Sequence, residues 1–146
     1  MSDEHRFALR ATWAPEAKEG ALKTESGALS TPYGGAPSLG GKEGVTNPEE
    51  LLLSAISACF LQTWAIFIAK LKLPIEAPAL DASCVVEKDP AGGFHVTRID
   101  LAPNVPAALL AERQADVEKS LQLAEKYCIV SKAVKGPALT VTPKGV

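Results

Sequence analysis

Residues 46–74 read TNPEELLLSAISACFLQTWAIFIAKLKLP and contain the longest apolar segment of the chain. Its first letters form the clearest helix start in the chain: a side chain able to cap, a proline suited to the first helical position, and two acids that complement the helix dipole. These residues are Thr46 or Asn47, Pro48, Glu49 and Glu50. The pattern predicts one long helix that runs to about Leu71 and ends before Pro74.

The run from Leu51 to Ala69 carries no ionisable side chain except Cys59. Such a run is typical of a membrane span, which needs about 20 mostly apolar residues, and also of a helix buried on all sides of a domain. Polar residues interrupt it at Ser54, Ser57, Gln62 and Thr63. We therefore predict a buried helix and no membrane contact. Because the rest of so short a chain can hardly surround this helix, we expect a homodimer with the helix at its centre.

Alternating apolar and polar residues, together with turn-forming dipeptides, predict the elements on either side of the long helix. Strands are predicted over residues 7–13, 80–88, 94–101 and 138–142, and a further strand followed by a turn over residues 20–30. A hairpin is predicted between the strands at 80–88 and 94–101, and a loop over 32–44. A second helix opens at Asn104 or Pro106 and leads to Cys128, and a short third helix follows from Cys128 to Lys135. This order of elements indicates an α+β fold, in a single domain over residues 1–146.

Two of the predicted elements carry an apolar face that includes or leads to a cysteine. The second predicted helix carries a stripe that leads down one face to Cys128, formed by Leu110, Val117, Leu121 and Ala124. In the predicted strand over residues 80–88, Cys84 shares one face with Ala82 and Val86, which is typical of a small core residue.

Composition excludes several classes of function. The chain has 146 residues, a formal net charge of −2 and 47% hydrophobic residues, which argues for a packed core and against a basic nucleic-acid surface. Its acidic start, MSDEHR, has no apolar segment behind it, so we expect no secretory signal and a cytoplasmic location. Three cysteines without a CxxC pair and two histidines are too few for a metal site.

The cysteines allow two interpretations each. Cys59, in the middle of the apolar helix, is either a small core residue or a reactive thiol. Cys128 is predicted to end one helix and to begin another, and a helix N-terminus favours the thiolate. Both lie on inward helical faces, so the two could meet and form a disulfide, although sequence alone does not decide this.

Glu49 precedes Cys59 by ten residues, which is about 15 Å along a straight helix. It cannot touch its own Cys59. An acid in a first turn usually only complements the dipole, but if Glu49 serves a cysteine site, we expect that site to belong to the partner subunit across antiparallel helices.

Four segments together resemble the OsmC/Ohr family of thiol peroxidases. They are GVTNPEELLLSAISACF at residues 44–60, TESG at 24–27, PYGG at 32–35 and AEKYCIVSKA at 124–133. The resemblance touches segments from about residue 7 to residue 142. It implies an α+β fold built as an intimate homodimer, in which two long central helices are wrapped by antiparallel sheets from both subunits.

The resemblance also implies a chemistry. Cys59 matches the peroxidatic cysteine, whose thiolate attacks an organic hydroperoxide, or hydrogen peroxide, and becomes a sulfenic acid. Cys128 matches the resolving cysteine, which forms a disulfide with it, and a lipoyl-like or thioredoxin-like dithiol resets the pair. Glu49 matches the acid that holds a basic residue in place. No metal or organic cofactor is implied.

The chain departs from the family pattern at two places. The family stabilises its thiolate with an arginine, yet no arginine occurs between Thr12 and Asp81. Lys18, in the turn after the first strand, is the candidate in its place, with Lys42 and Arg10 as alternatives. Lysine supplies a point charge without arginine's planar fork. The second departure is Ile129, where many relatives carry proline.

Two functions therefore compete. The first is a peroxidase that works through Cys59 and Cys128. The second is a non-enzymatic dimer of the same fold that binds a small apolar or sulfur-containing molecule between subunits, with structural cysteines. A selective disulfide after peroxide treatment distinguishes them.

Overall fold

The computed structural model of the chain describes residues 3–136, so the strand predicted over residues 138–142 lies outside the described residues. The strands are β1 Leu9–Ala14, β2 Glu19–Thr24, β3 Ser30–Tyr33, β4 Leu80–Lys88 and β5 Phe94–Pro103. The helices are α1 Pro48–Lys70, α2 Ala107–Glu112, α3 Gln114–Tyr127 and α4 Ile129–Lys135. This is the predicted α+β class. The chain divides into two compact units, one that ends at Leu52 and one that begins at Leu53.

The first unit holds an antiparallel sheet in the order β1-β2-β3. Its strands come close together at Gly20, where an added Cβ would lie 2.3 Å from the Thr12 carbonyl oxygen and 2.5 Å from the Tyr33 ring. The Tyr33 hydroxyl donates a hydrogen bond to that same carbonyl over 3.1 Å. Glycine is needed here because any larger residue would collide with the Thr12 backbone and the Tyr33 ring.

The predicted loop over residues 32–44 is wrong at its start. Pro32 and Tyr33 belong to β3, which pairs with β2 so that Gly20 faces Tyr33. A short 3-10 turn, Pro37–Leu39, follows. The prolines and glycines that predicted a loop are compatible with an edge strand, where proline's missing N–H costs no ladder bond.

Local polar groups fix the start of α1 as the sequence predicts. Asn47 is the cap: its Oδ1 accepts a hydrogen bond from the Glu50 backbone N–H over 2.9 Å. The Glu50 carboxylate in turn accepts hydrogen bonds from the side chains of Asn47 and Thr46, over 3.3 and 3.2 Å. The Asn47 cap satisfies a backbone N–H that the first helical turn would otherwise leave without a partner.

The helix α1 carries two different faces. Ile56, Phe60, Trp64 and Ile68, each four residues apart, are buried. The opposite face is exposed and consists mostly of small side chains: Ala55, Ala58, Gln62, Ala65, Ile66 and Ala69. Among the described residues, α1 is the one helix long and apolar enough to cross a bilayer, a test that the core helix of a non-membrane domain also passes.

The second unit contains the β4–β5 hairpin and the helices that pack on the buried face of α1. A bulge between Val85 and Val86 shifts the register of the hairpin. Because of this bulge, Val85 is half-buried together with Cys84 and Val86, and the simple alternation predicted for this strand does not hold over its last third.

The single helix predicted between Pro106 and Cys128 is wrong, because the structure has two helices that meet at Arg113. The Arg113 guanidinium donates to the carbonyl oxygens of Leu71 and Lys72, each over 2.9 Å, and pairs with Asp116 over 3.0 Å. It thereby satisfies carbonyls just past the C-terminus of α1. The break also rotates the apolar stripe, so that Leu109 is buried in place of the predicted Leu110.

Candidate functional site

Cys59 and Cys128 come together in the second unit. Cys59 lies midway along α1, and Cys128 lies at the junction of α3 and α4. Cys128 is a buried member of the main hydrophobic cluster, and the half-buried Cys59 packs against the same cluster. Cys59 is near enough to help lower the pKa of the Cys128 thiol. The structure thus brings together two cysteines that are far apart in the sequence. Both are free thiols.

A buried hydrogen bond between α1 and α3 helps to hold the helices that carry the two cysteines together. Trp64 lies five residues after Cys59, and its Nε1 donates to the Ser120 hydroxyl over 3.0 Å. The Ser120 hydroxyl donates in turn to the Val117 carbonyl oxygen over 2.7 Å. All three side chains are fully buried. A buried N–H without an acceptor is costly, so this bond favours the one packing arrangement of α3 on α1 in which Trp64 meets Ser120.

The Cys128 sulfur occupies a fully buried position that is rich in donors. It caps α4, since Sγ accepts a hydrogen bond from the Ser131 backbone N–H over 3.5 Å. Burial raises the pKa of the Cys128 thiol, but hydrogen bonds from the Ser131 side chain and backbone, the Cys59 side chain and the Val130 backbone outweigh it and leave the pKa below its ordinary value. The site therefore favours a thiolate at Cys128.

Ser131 is a member of this site that the sequence interpretation missed. It is 5% exposed and lies three residues after Cys128, at the position whose backbone N–H a cap residue usually satisfies. The signal that could have found it is this spacing: a cysteine at the boundary of two helices, followed three residues later by a hydroxyl.

Glu49 lies in the first turn of α1 and is half-buried. Its Oε2 atom is buried, and no hydrogen-bond partner reaches that atom within residues 3–136. The other acid of the turn, Glu50, accepts hydrogen bonds from the side chains of Thr46 and Asn47. The two glutamates that look equivalent in the sequence therefore differ, and Glu49 is the one with capacity for a further donor.

The candidate cations lie in the first unit. Lys18 is exposed in the turn between β1 and β2, in a left-handed backbone conformation with φ of 53°. Lys42 forms an ion pair with Glu19 over 2.7 Å, which reduces its value as a free charge. Arg10 is exposed on β1. Lys18 stays the predicted cation.

The remaining cysteine has a different setting. Cys84 is half-buried in the hairpin, where it faces Ile99 on the neighbouring strand. Within the described part of the chain, no three histidine, cysteine, aspartate or glutamate side chains lie close enough together to hold a metal ion.

Comparison with known proteins identifies the family. The family model described as OsmC-like protein matches residues 40–144. The organic hydroperoxide resistance protein of Xanthomonas axonopodis pv. citri is 34% identical over 122 residues, which cover 82% of this chain and 81% of that protein. Peroxiredoxin OsmC of Escherichia coli is 31% identical over 130 residues, which cover 86% and 87%. The chain belongs to the OsmC/Ohr family, and the resemblance drawn from its sequence is confirmed.

A solved structure agrees. The crystal structure of an organic hydroperoxide resistance protein from Elizabethkingia anophelis superimposes with a TM-score of 0.75 at 25% identity, and the match covers 94% of this chain and 93% of that one. The α+β fold is therefore that of the OsmC/Ohr proteins.

Proposed function

We propose that this protein is a two-cysteine thiol peroxidase that reduces organic hydroperoxides in the cytoplasm. One observation carries the proposal: Cys59 and Cys128, 69 positions apart by their numbering, lie in the same hydrophobic cluster, and Cys59 helps to lower the pKa of the Cys128 thiol. Two relatives named an organic hydroperoxide resistance protein and a peroxiredoxin support the substrate class.

The reaction begins at Cys59, the less buried of the two thiols. Its thiolate attacks the outer oxygen of the hydroperoxide, the O–O bond breaks, and the alkoxide takes up a proton and leaves as an alcohol. Cys59 is then a sulfenic acid. The Cys128 thiolate attacks that sulfur, the S–O bond breaks, and the oxygen leaves as water after it takes up a proton. An external dithiol reduces the resulting disulfide and is itself oxidised.

Cys59 needs a nearby positive charge, because it lies mid-helix and gains nothing from the helix dipole. In the proposal Lys18 supplies that charge and Glu49 holds it in place, with at least one of the two contributed across subunits. Within the described part of the chain the buried Oε2 of Glu49 has no hydrogen-bond partner, which supports this role because a buried carboxylate oxygen without a donor is costly.

The homodimer is part of the proposal. The small-residue face of α1 leaves apolar surface in contact with water in a single chain, and β1 is exposed along its whole length, including Leu9 and Trp13. Alanine-rich helical surfaces allow close approach, and exposed apolar patches of this kind mark interaction sites. A second copy that packs α1 against α1 and sheet over sheet covers both surfaces.

Peptide mapping and peroxide consumption test the proposal. Reduced protein treated with a bulky organic hydroperoxide should lose two thiols per chain and yield a Cys59–Cys128 peptide. Cys59→Ser should abolish turnover, and Cys84→Ser, the matched control at the remaining cysteine, should retain both turnover and the selective disulfide. Turnover that survives in Cys59→Ser overturns the proposal.

The same mapping addresses the alternative of a non-enzymatic ligand-binding dimer. That alternative expects scattered oxidation or none, because structural cysteines carry no site selectivity. Rates of turnover with hydrogen peroxide and with the organic hydroperoxide at equal concentration then show whether the protein prefers an apolar substrate.

A further inference from the structure

We infer that Ser131 is a positioning residue for the Cys128 sulfur, and that its hydroxyl and backbone N–H stabilise that sulfur as the attacking group and as the leaving group of the disulfide cycle. This inference rests on the proposed function for its chemical meaning. Its geometry stands independently, on the buried contact between the two residues.

The contact joins two buried residues three positions apart. The Ser131 backbone N–H donates to the Cys128 sulfur over 3.5 Å, and the Ser131 side chain helps to hold the pKa of the Cys128 thiol below its ordinary value. Ser131 is 5% exposed and Cys128 is 0% exposed, so water does not compete for either group. A donor to sulfur in a dry site stabilises the thiolate more than the thiol.

The first consequence concerns disulfide formation. Cys128 must attack the sulfenic sulfur of Cys59 as a thiolate, and the Ser131 donors raise the fraction of thiolate at neutral pH. They also lower the nucleophilicity of each thiolate, because nucleophilicity falls as the pKa falls. The net effect is favourable only at a pH below the thiol pKa, where the thiolate fraction limits the rate.

The second consequence concerns the sulfur that the reductant attacks. Cys128 is fully buried and Cys59 is only partly buried, so the incoming thiolate reaches Cys59. The S–S bond breaks, and its electron pair goes to the Cys128 sulfur, where the Ser131 donors receive the developing negative charge. The second thiol of the reductant then displaces Cys59, which leaves both protein thiols reduced and the dithiol oxidised.

The direct test is a titration of Cys128. In a Cys59→Ser, Cys84→Ser background, Cys128 is the sole thiol, and the ultraviolet absorbance of the thiolate reports its protonation. Ser131→Ala should move the midpoint up by about one pH unit, and Ser131→Thr, which keeps the hydroxyl, should restore it in part. Ser120→Ala, which also removes a fully buried hydroxyl but one bonded to Trp64, should leave the midpoint unmoved.

The pH profile of disulfide formation separates positioning from a general structural role. In Ser131→Ala, the rate below the thiol pKa should fall about threefold, because the thiolate fraction falls tenfold while nucleophilicity rises about threefold. Above that pH the variant should equal or exceed the wild type. A loss of rate that is uniform across pH would mean a purely structural role and would overturn the inference.

Folding is checked by circular dichroism, and Ser131→Gly, which also lacks the hydroxyl, repeats the comparison if the alanine variant is unstable. A folded hydroxyl-free variant with an unmoved midpoint overturns the inference, while the peroxidase proposal is unaffected as long as Cys59→Ser abolishes turnover. Conversely, if the midpoint moves but the protein shows no peroxide turnover, the role of Ser131 at the Cys128 sulfur stands and only the proposed function is overturned.

Discussion

The buried bond between Trp64 and Ser120 should make a measurable and specific contribution to stability. The indole Nε1 donates to the Ser120 hydroxyl over 3.0 Å, and both side chains are 0% exposed. Ser120→Ala therefore leaves the buried indole N–H of Trp64 without an acceptor, which should lower the free energy of unfolding by about 1–3 kcal/mol.

Trp64→Phe acts differently. It removes the donor, and the Ser120 hydroxyl keeps its own acceptor, the Val117 carbonyl oxygen at 2.7 Å. The loss in Trp64→Phe then comes from the smaller ring and the space it leaves. Adding Ser120→Ala to this variant should cost little, because no buried donor is left to be stranded. The two substitutions should show a coupling of about 1–2 kcal/mol.

Equilibrium unfolding in urea, followed by circular dichroism, measures all four members of this double-mutant cycle. Protein concentration must be held fixed, because the stability of a dimer depends on it. Gln122→Ala, on the exposed side of the same helix, is the control and should stay within about 0.5 kcal/mol of the wild type. If Ser120→Ala costs the same with phenylalanine as with tryptophan at position 64, the hydrogen bond does not lock α1 to α3, and the reasoning is refuted.

Two further predictions concern Arg113 and Cys128. Arg113→Ala should lower the free energy of unfolding by about 1–3 kcal/mol, because the Leu71 and Lys72 carbonyls lose their donor, and Arg113→Lys should recover little, since lysine lacks the planar fork; full recovery in the lysine variant would contradict this. The pKa of Cys128 is lower in the folded chain than its ordinary 9.0, so its contribution to stability is fully present above pH 9 and is lost as pH falls through the folded-state pKa. Reduced wild type should therefore gain stability over Cys128→Ala as pH rises towards 9.0, as measured by urea midpoints under reducing conditions, and a pH-independent difference would argue against the lowered pKa.

Several features were accessible from the sequence because their causes are local. The cap at Asn47, the proline at position 48 and the acids that follow lie within one helical turn of each other, so the start of α1 could be read from adjacent residues. The β4–β5 hairpin was predictable for the same reason, since its turn lies between its own strands. The family resemblance added the expectation that Cys59 and Cys128 act together.

Other features depended on residues far away in the chain. No proline or glycine marks the break between α2 and α3 at Arg113. The Arg113 guanidinium instead donates hydrogen bonds to carbonyl oxygens 41 and 42 positions earlier in the chain. Strand β3 extends into a stretch rich in proline and glycine, which favours a loop. It is a strand because it pairs with β2, where Tyr33 lies opposite Gly20. Such contacts form only once distant segments pack, so no local pattern predicts them.

The site shows the same division. Local patterns placed a thiol mid-helix at position 59, another at a helix boundary at position 128 and an acid at the start of α1. The packing of distant elements places both cysteines in one hydrophobic cluster and buries Ser131 beside Cys128. It also leaves the Oε2 atom of Glu49 without a partner within residues 3–136, whereas Glu50 accepts hydrogen bonds from its neighbours. A helix cap is satisfied by its own neighbours, but a buried polar atom depends on the groups that distant elements bring to it.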